Sequence, residues 1–183
     1  MKDNQLTWAK KEEHLLLHTS IYDVIQQKEV APNGLEGNYL AIDAPDWVMV
    51  IPEVDGKFVL CRQWRHAAQN LTLEFPGGVA EKGEDPTVTA ARELEEETGY
   101  RAGSVRVIGI SNPNPALFRN RAIVCLAENL KKTGNTHPDE DEFIHTELRD
   151  IDSVIDGFGE GEFTHALMGA AIAFYLKDKR KNG

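Results

Sequence analysis

The chain has 183 residues, 41% hydrophobic and 27% charged, enough apolar material for one compact domain with a small addition and too much for a disordered chain. Twenty Lys and Arg against 30 Asp and Glu give a net charge of -10, which repels a phosphate backbone. That balance disfavours a nucleic-acid or anionic-membrane partner, but not a small phosphorylated substrate if a metal ion supplies positive charge. The longest apolar run, Ala166 to Leu176, falls short of the roughly 20 residues of a membrane helix. The polar start Met1-Lys2-Asp3-Asn4-Gln5 has no apolar signal core. Cys61 and Cys125 both lie in apolar strand-like segments, so a disulfide framework is not expected and a cytoplasmic location is.

Residues 1 to 11 are polar and expected to be loosely ordered. His14–His18, Tyr22–Ile25 and Asn38–Ile42 read as strands, with Pro32-Asn33-Gly34 as a turn between them. Residues 1–45 therefore read as a small antiparallel strand subdomain. It is too small to fold alone and is expected to pack on the main domain, residues 46–183, or on a second copy in a homodimer. Trp47–Pro52 is a buried strand, and Asp55-Gly56 turns it into Lys57–Trp64. A helix is predicted over Pro86–Thr98, with Asp85 as N-cap, Pro86 at its first position and Gly99 just past its end. Ser104–Ile110 and Arg121–Ala127 are strands around a Pro-rich loop. Residues 130–142 form an acidic loop, and Asp150–Gly157 a short helix. Thr164–Lys179 is a long helix, read as packing rather than as part of a site. This order predicts an α/β fold in which helices pack on a mixed sheet.

The helix Pro86–Thr98 is electrostatically odd. Glu93, Glu96 and Glu97 share one face at i, i+3 and i+4, near the negative end of the helix dipole, where anions are disfavoured. Arg92 is adjacent and can hold a carboxylate by paired hydrogen bonds. Phe75-Pro76-Gly77-Gly78, upstream, offers bare backbone for close approach. Clustered carboxylates of this kind suit a hard divalent cation such as Mg²⁺, which takes oxygen ligands and bridges to phosphates.

Taken together, Gly78, Glu84, Arg92-Glu93-Leu94, Glu96-Glu97 and Gly99-Tyr100 resemble the Nudix hydrolase signature G-x5-E-x7-R-E-U-x-E-E-x-G-U, where U is bulky and apolar. All seven fixed positions match, and Tyr100 is an aromatic variant of the last one. The resemblance implies a Nudix-type α/β/α sandwich and Mg²⁺-dependent hydrolysis, with Mn²⁺ able to substitute, of a nucleoside diphosphate linked to another group. It assigns Glu93 and Glu97 as metal ligands and Glu96 as a ligand or close neighbour with a part in catalysis. The Gly77 carbonyl is a further ligand, Arg92 orients the carboxylates, and Glu84 braces the loop.

Gln63-Trp64-Arg65 and Glu74 are similar to segments of the ADP-ribose and nucleoside-diphosphate-sugar branch of that family. That likeness assigns Arg65 and Glu74 to substrate binding and draws the general base from the acidic loop, with Glu140 first and Glu142 second. In that branch the N-terminal strands cross to a partner subunit. The segment Ala116-Leu117-Phe118-Arg119-Asn120-Arg121 departs from the branch pattern. It makes Phe118 and Arg119 candidates for a different sugar or base, so a nucleoside diphosphate hexose stands beside ADP-ribose. The rival readings are a triphosphate or RNA-cap hydrolase of the same fold, and a non-catalytic nucleotide-binding regulator. The intact carboxylates argue against the regulator, because a pure binder has no use for them facing a phosphate.

Overall fold

The computed structural model describes residues 3–137 and 142–182, in two units: Met1–Pro45 with Asn112–Arg121, and Asp46–Ser111 with Ala122–Gly183. The first unit is an antiparallel sheet of β1 (Ala9–His18), β2 (Asp23–Val30) and β3 (Glu36–Asp43), in that order. Ile25 and Ala41 are the buried apolar residues of this unit among those described, whereas Leu15, Leu17, Leu35 and Leu40 are exposed. The strand β1 begins at Ala9, inside the stretch expected to be loosely ordered. Its first residues, Ala9-Lys10-Lys11-Glu12-Glu13, are mostly polar, so backbone pairing with β2 orders them without a hydrophobic signal.

Residues 112–121, expected to belong to the main domain, cluster with the first unit instead. Their backbone continues from β3: Ile42 N–H donates to Leu117 O at 2.8 Å, and Arg119 N–H donates to Ile42 O at 3.0 Å. Arg119 Nη2 also reaches Glu13 Oε2 at 2.7 Å.

The second unit contains β4 (Trp47–Val54), β5 (Lys57–Arg65), β6 (Asn70–Glu74), β7 (Gly77–Val79), α1 (Pro86–Thr98) and β8 (Tyr100–Arg101). After these come β9 (Ser104–Ser111), β10 (Ala122–Glu128), β11 (Lys131–Lys132), β12 (His145–Asp150), α2 (Ile151–Asp156) and α3 (Ala166–Asn182). Its main sheet runs β12-β5-β4-β10-β9, with β6 on β5 and β7 on β4. The β4–β10 pair is parallel and the other pairs are antiparallel, so the sheet is mixed as expected. Asp55 and Gly56 both adopt positive φ (49° and 71°), the twist that a two-residue hairpin demands.

Both faces of this sheet are covered, so its central strands read as continuous apolar runs. Val48, Val50, Val59, Ile123 and Cys125 point to α1, against Ala90 and Leu94. Met49, Ile51, Phe58, Leu60 and Leu126 point the other way, against Val154 of α2 and Met168, Ile172 and Tyr175 of α3. Successive residues face opposite sides because the strand period is two. The α1 caps form as predicted: Asp85 accepts from Thr87 N–H at 2.8 Å, and Gly99 closes the helix at φ 69°. The strands β6 and β12 were not anticipated. β6 is short and interrupted by Thr72, and β12 (His-Thr-Glu-Leu-Arg-Asp) looks like loop by composition. Both are ordered by pairing with β5.

Candidate active site

A cavity of about 910 Å³ opens in the second unit between the Gly77–Val79 strand, α1 and the start of α3. One wall is acidic and comes from the last turns of α1. Glu97 is only 5% exposed. Its Oε2 accepts the Gly77 N–H at 3.1 Å and lies 3.6 Å from the Cys61 Sγ donor on β5. Burial pushes the Glu97 carboxyl up to about 8. The Glu93 and Glu142 carboxylates push the same way, while the Gly77 hydrogen bond opposes them. Glu93 is also raised, by burial first and by Glu96 and Glu142 after it, against the pull of Arg92.

Arg92 ties this wall together. Its Nη1 is 2.8 Å from Glu93 Oε1 and 3.0 Å from Glu96 Oε2, and its Nη2 is 3.7 Å from Glu84 Oε2. Burial works against the Arg92 charge, and the surrounding carboxylates outweigh it. Glu84 accepts the Glu81 N–H at 3.1 Å and the Thr89 hydroxyl at 2.8 Å, so it fastens the connecting loop to α1. Close approach of backbone requires Gly77, and at Gly78 it sets the chain against a side chain of α1. A Cβ on Gly77 would run into the Val48 carbonyl oxygen, and one on Gly78 into the Glu93 carboxylate. Pro76 O also accepts the Val50 N–H at 2.9 Å, which locks this stretch to β4. The two glycines thus lie in a short strand, Gly77–Val79, paired with β4.

A second polar cluster lies on the face of β5–β6 that carries Cys61, Gln63, Arg65, Thr72 and Glu74. Glu74, 1% exposed, is the hub. Arg65 clasps it with two bonds, Nε to Oε1 at 3.0 Å and Nη2 to Oε2 at 2.7 Å. Thr72 Oγ1 donates to Oε1 at 2.5 Å, and His165 Nδ1 is 2.6 Å from Oε2. Burial alone would raise the Glu74 pKa. The His165 and Arg65 bonds outweigh it and hold the carboxyl well below the usual carboxylate range.

Arg65, Glu74, Gly77, Arg92, Glu93, Glu96, Glu97 and Glu142 all line this one cavity. Glu140 lies outside the described residues. Phe118 and Arg119 belong to the first unit, where Arg119 pairs with Glu13 and Asp43. Glu95 on α1 pairs with Arg101 through bonds of 3.1 and 2.7 Å. Sequence reasoning missed Trp47, Cys61 and His165. Leu167 and Ala170 of α3 and His165 just before it line the cavity, so that helix is more than packing. The apolar run of α3 hid this role, because the cavity-lining Leu167 and Ala170 are as apolar as the core residues Met168, Ala171 and Ile172 beside them.

The donor set fits a hard divalent cation. Among the described residues, no three His, Cys, Asp or Glu side chains form a finished metal cage. Mg²⁺ does not need one, since it takes one or two protein carboxylates, keeps several waters and borrows phosphate oxygens. Glu93 and Glu97 offer oxygen donors whose burial and mutual repulsion a bound cation would relieve.

Residues 44–167 match the family model of the NUDIX domain, and the chain belongs to that family. The ADP-ribose pyrophosphatase of Bacillus subtilis (strain 168) is 35% identical over 126 residues, 68% of each chain. The methanol dehydrogenase activator of Bacillus methanolicus is 36% identical over 115 residues, 62% of each chain. A crystal structure of an ADP compounds hydrolase superposes with a TM-score of 0.86 over 96% of each chain at 21% identity, which establishes the fold.

Proposed function

We propose that this Nudix pyrophosphohydrolase cleaves the pyrophosphate bond of a nucleoside diphosphate sugar, ADP-ribose or a nucleoside diphosphate hexose. The products are a nucleoside monophosphate and a sugar phosphate. The observation that carries the reading is the meeting of the Glu93–Glu97 wall and the Arg65–Glu74 cluster in one cavity of about 910 Å³, within the range of small-molecule sites. Mg²⁺, or Mn²⁺ in its place, would be held by Glu93 and Glu97, with Glu96 and the Gly77 carbonyl beside them. When bound it neutralises the diphosphate, polarises phosphorus and acidifies a water.

The chain's own residues do the rest. Arg92 keeps Glu93 and Glu96 aligned through its bonds of 2.8 and 3.0 Å. Gly77 N–H and the Cys61 thiol fix one oxygen of Glu97, which directs the other toward the cavity. Arg65 spends two of its five N–H donors on Glu74 and keeps the rest for a phosphate oxygen. Glu140 or Glu142, from the loop that follows His137, takes the proton from the attacking water. Trp47 lines the cavity as well. The likeness to the Bacillus subtilis ADP-ribose pyrophosphatase supports a substrate of this class. The test is a panel of nucleoside diphosphate sugars and nucleoside triphosphates with Mg²⁺, scored by nucleoside monophosphate release with and without excess chelator. The expected result is turnover of the sugars, lost with chelator. Hydrolysis of triphosphates alone would overturn the substrate class.

A further inference from the structure

We propose that His165 is a substrate-binding residue of this cavity, accepting a hydrogen bond through Nε2 from a hydroxyl of the sugar-phosphate half of the substrate. The proposal rests on the function proposed above.

The geometry fixes which nitrogen does what. An ionised carboxylate only accepts hydrogen bonds, so the 2.6 Å contact to Glu74 Oε2 places the ring proton on Nδ1. Glu74 is held by four donor contacts: two from Arg65, one from Thr72 and one from His165. The ring therefore cannot turn to bring Nε2 inward without breaking its bond to a buried carboxylate. The backbone is fixed as well, since His165 O accepts the Met168 N–H at 3.0 Å in the first turn of α3. Nε2 lies across the ring from the Glu74 contact. The side chain is 31% exposed and lines the cavity, and among the described residues Nε2 makes no hydrogen bond.

In the tautomer with its proton on Nδ1, the ring presents a lone pair at Nε2. A phosphate oxygen has no hydrogen to give it, but a sugar hydroxyl has. His165 and Arg65 meet on the same Glu74 oxygen, at 2.6 and 2.7 Å, so a phosphate at Arg65 brings the sugar attached to it beside His165. Glu74 thus orders a donor for the phosphate and an acceptor for the neighbouring hydroxyl in one step. Such a site discriminates strongly, because it rejects an analogue that lacks the hydroxyl.

Asparagine separates the two roles of the residue. Its amide N–H can replace Nδ1–H toward Glu74, while nothing in it replaces Nε2. The full-length His165→Asn protein is expected to unfold at the wild-type temperature. Its kcat/KM for ADP-ribose should fall about tenfold, and its kcat/KM for the methyl ester of ADP, which has the diphosphate but no second sugar, should stay unchanged. Equal loss on both substrates, or loss on neither, overturns the proposal. If His165→Asn does not fold, the wild-type protein decides. Ribose 5-phosphate should shift the ¹⁵N resonance of His165 Nε2, and inorganic phosphate should not. No shift, or the same shift with phosphate alone, overturns the hydroxyl assignment. A wild-type enzyme inactive on every nucleoside diphosphate sugar strikes the substrate reading instead, and the resonance titration still decides His165.

Discussion

The Gly77 N–H donates to Glu97 Oε2 across 3.1 Å, so the glycine strand and the last turn of α1 are fastened at the carboxylate assigned to the metal. A side chain at 77 breaks this junction from the other side, because its Cβ would run into the Val48 carbonyl in the β4–β7 ladder. Gly77→Ala is predicted to cost about 1–3 kcal/mol, as for an overpacked interior, and to lower activity with it. Denaturant unfolding of the variant measures the cost. An unchanged midpoint would contradict the close approach.

The Glu97 carboxyl gives the metal-free protein a pH signature. Its pKa in the folded chain is about 8 against an ordinary 4.5, so between those values the folded state binds more protons than the unfolded one. Stability of the metal-free protein should therefore fall as pH rises from about 4.5 to about 8. Glu97→Gln, which is neutral throughout, should flatten that part of the profile. Thermal unfolding in chelator at pH 5 and pH 8 checks the sign, and a parallel loss in both proteins would refute it.

Removing the hub of the second cluster should be severe. Glu74→Gln leaves Arg65 and His165 without their shared anion in a nearly closed site. Breaking such a pair on one side costs about 3–5 kcal/mol when fully buried. Arg65 is 44% exposed, so a value nearer 2 kcal/mol is expected, read from urea unfolding.

The base is assigned within the acidic loop. Glu140→Gln is predicted to lower kcat by about a hundredfold with KM little changed, and Glu142→Gln to do less. Glu142 lines the cavity and raises the Glu93 and Glu97 carboxyls. A larger loss in Glu142→Gln would transfer the proton-accepting role to it.

How much of this was legible in the sequence follows from which forces leave local marks. The α1 helix was readable because Asp85, Pro86 and Gly99 act within one turn of themselves. The acidic wall was readable because helical spacing alone puts Glu93, Glu96 and Glu97 on one face. The β4 and β5 strands announced themselves through continuous apolar runs buried on both faces. The first half of β1 and the strands β6 and β12 did not, since pairing with a neighbour orders them and their own side chains are mostly polar. Residues 112–121 read as a loop of the main domain because nothing local records that their backbone pairs with β3. Cys61 and His165 were invisible for a related reason. Each matters through one contact with a carboxylate 36 or 91 residues away in the chain, which no spacing rule encodes.

The first unit carries a further expectation. Leu15, Leu17 and Leu40 are all more than half exposed on a sheet with little buried core. A homodimer formed through this sheet would cover them, and light scattering should return twice the mass of one chain. A monomer with full activity would dismiss the dimer.

Hydrolysis is proposed to run through a cation held on the Glu93–Glu97 wall. This is tested most directly by kcat/KM for ADP-ribose at saturating Mg²⁺ in Glu97→Gln against the wild type. A fall of about a thousandfold or more is expected with the fold intact, because the substitution removes a metal-binding oxygen while keeping the shape of the side chain. A Glu97→Gln enzyme within about threefold of the wild type, a difference of well under 1 kcal/mol, would contradict it.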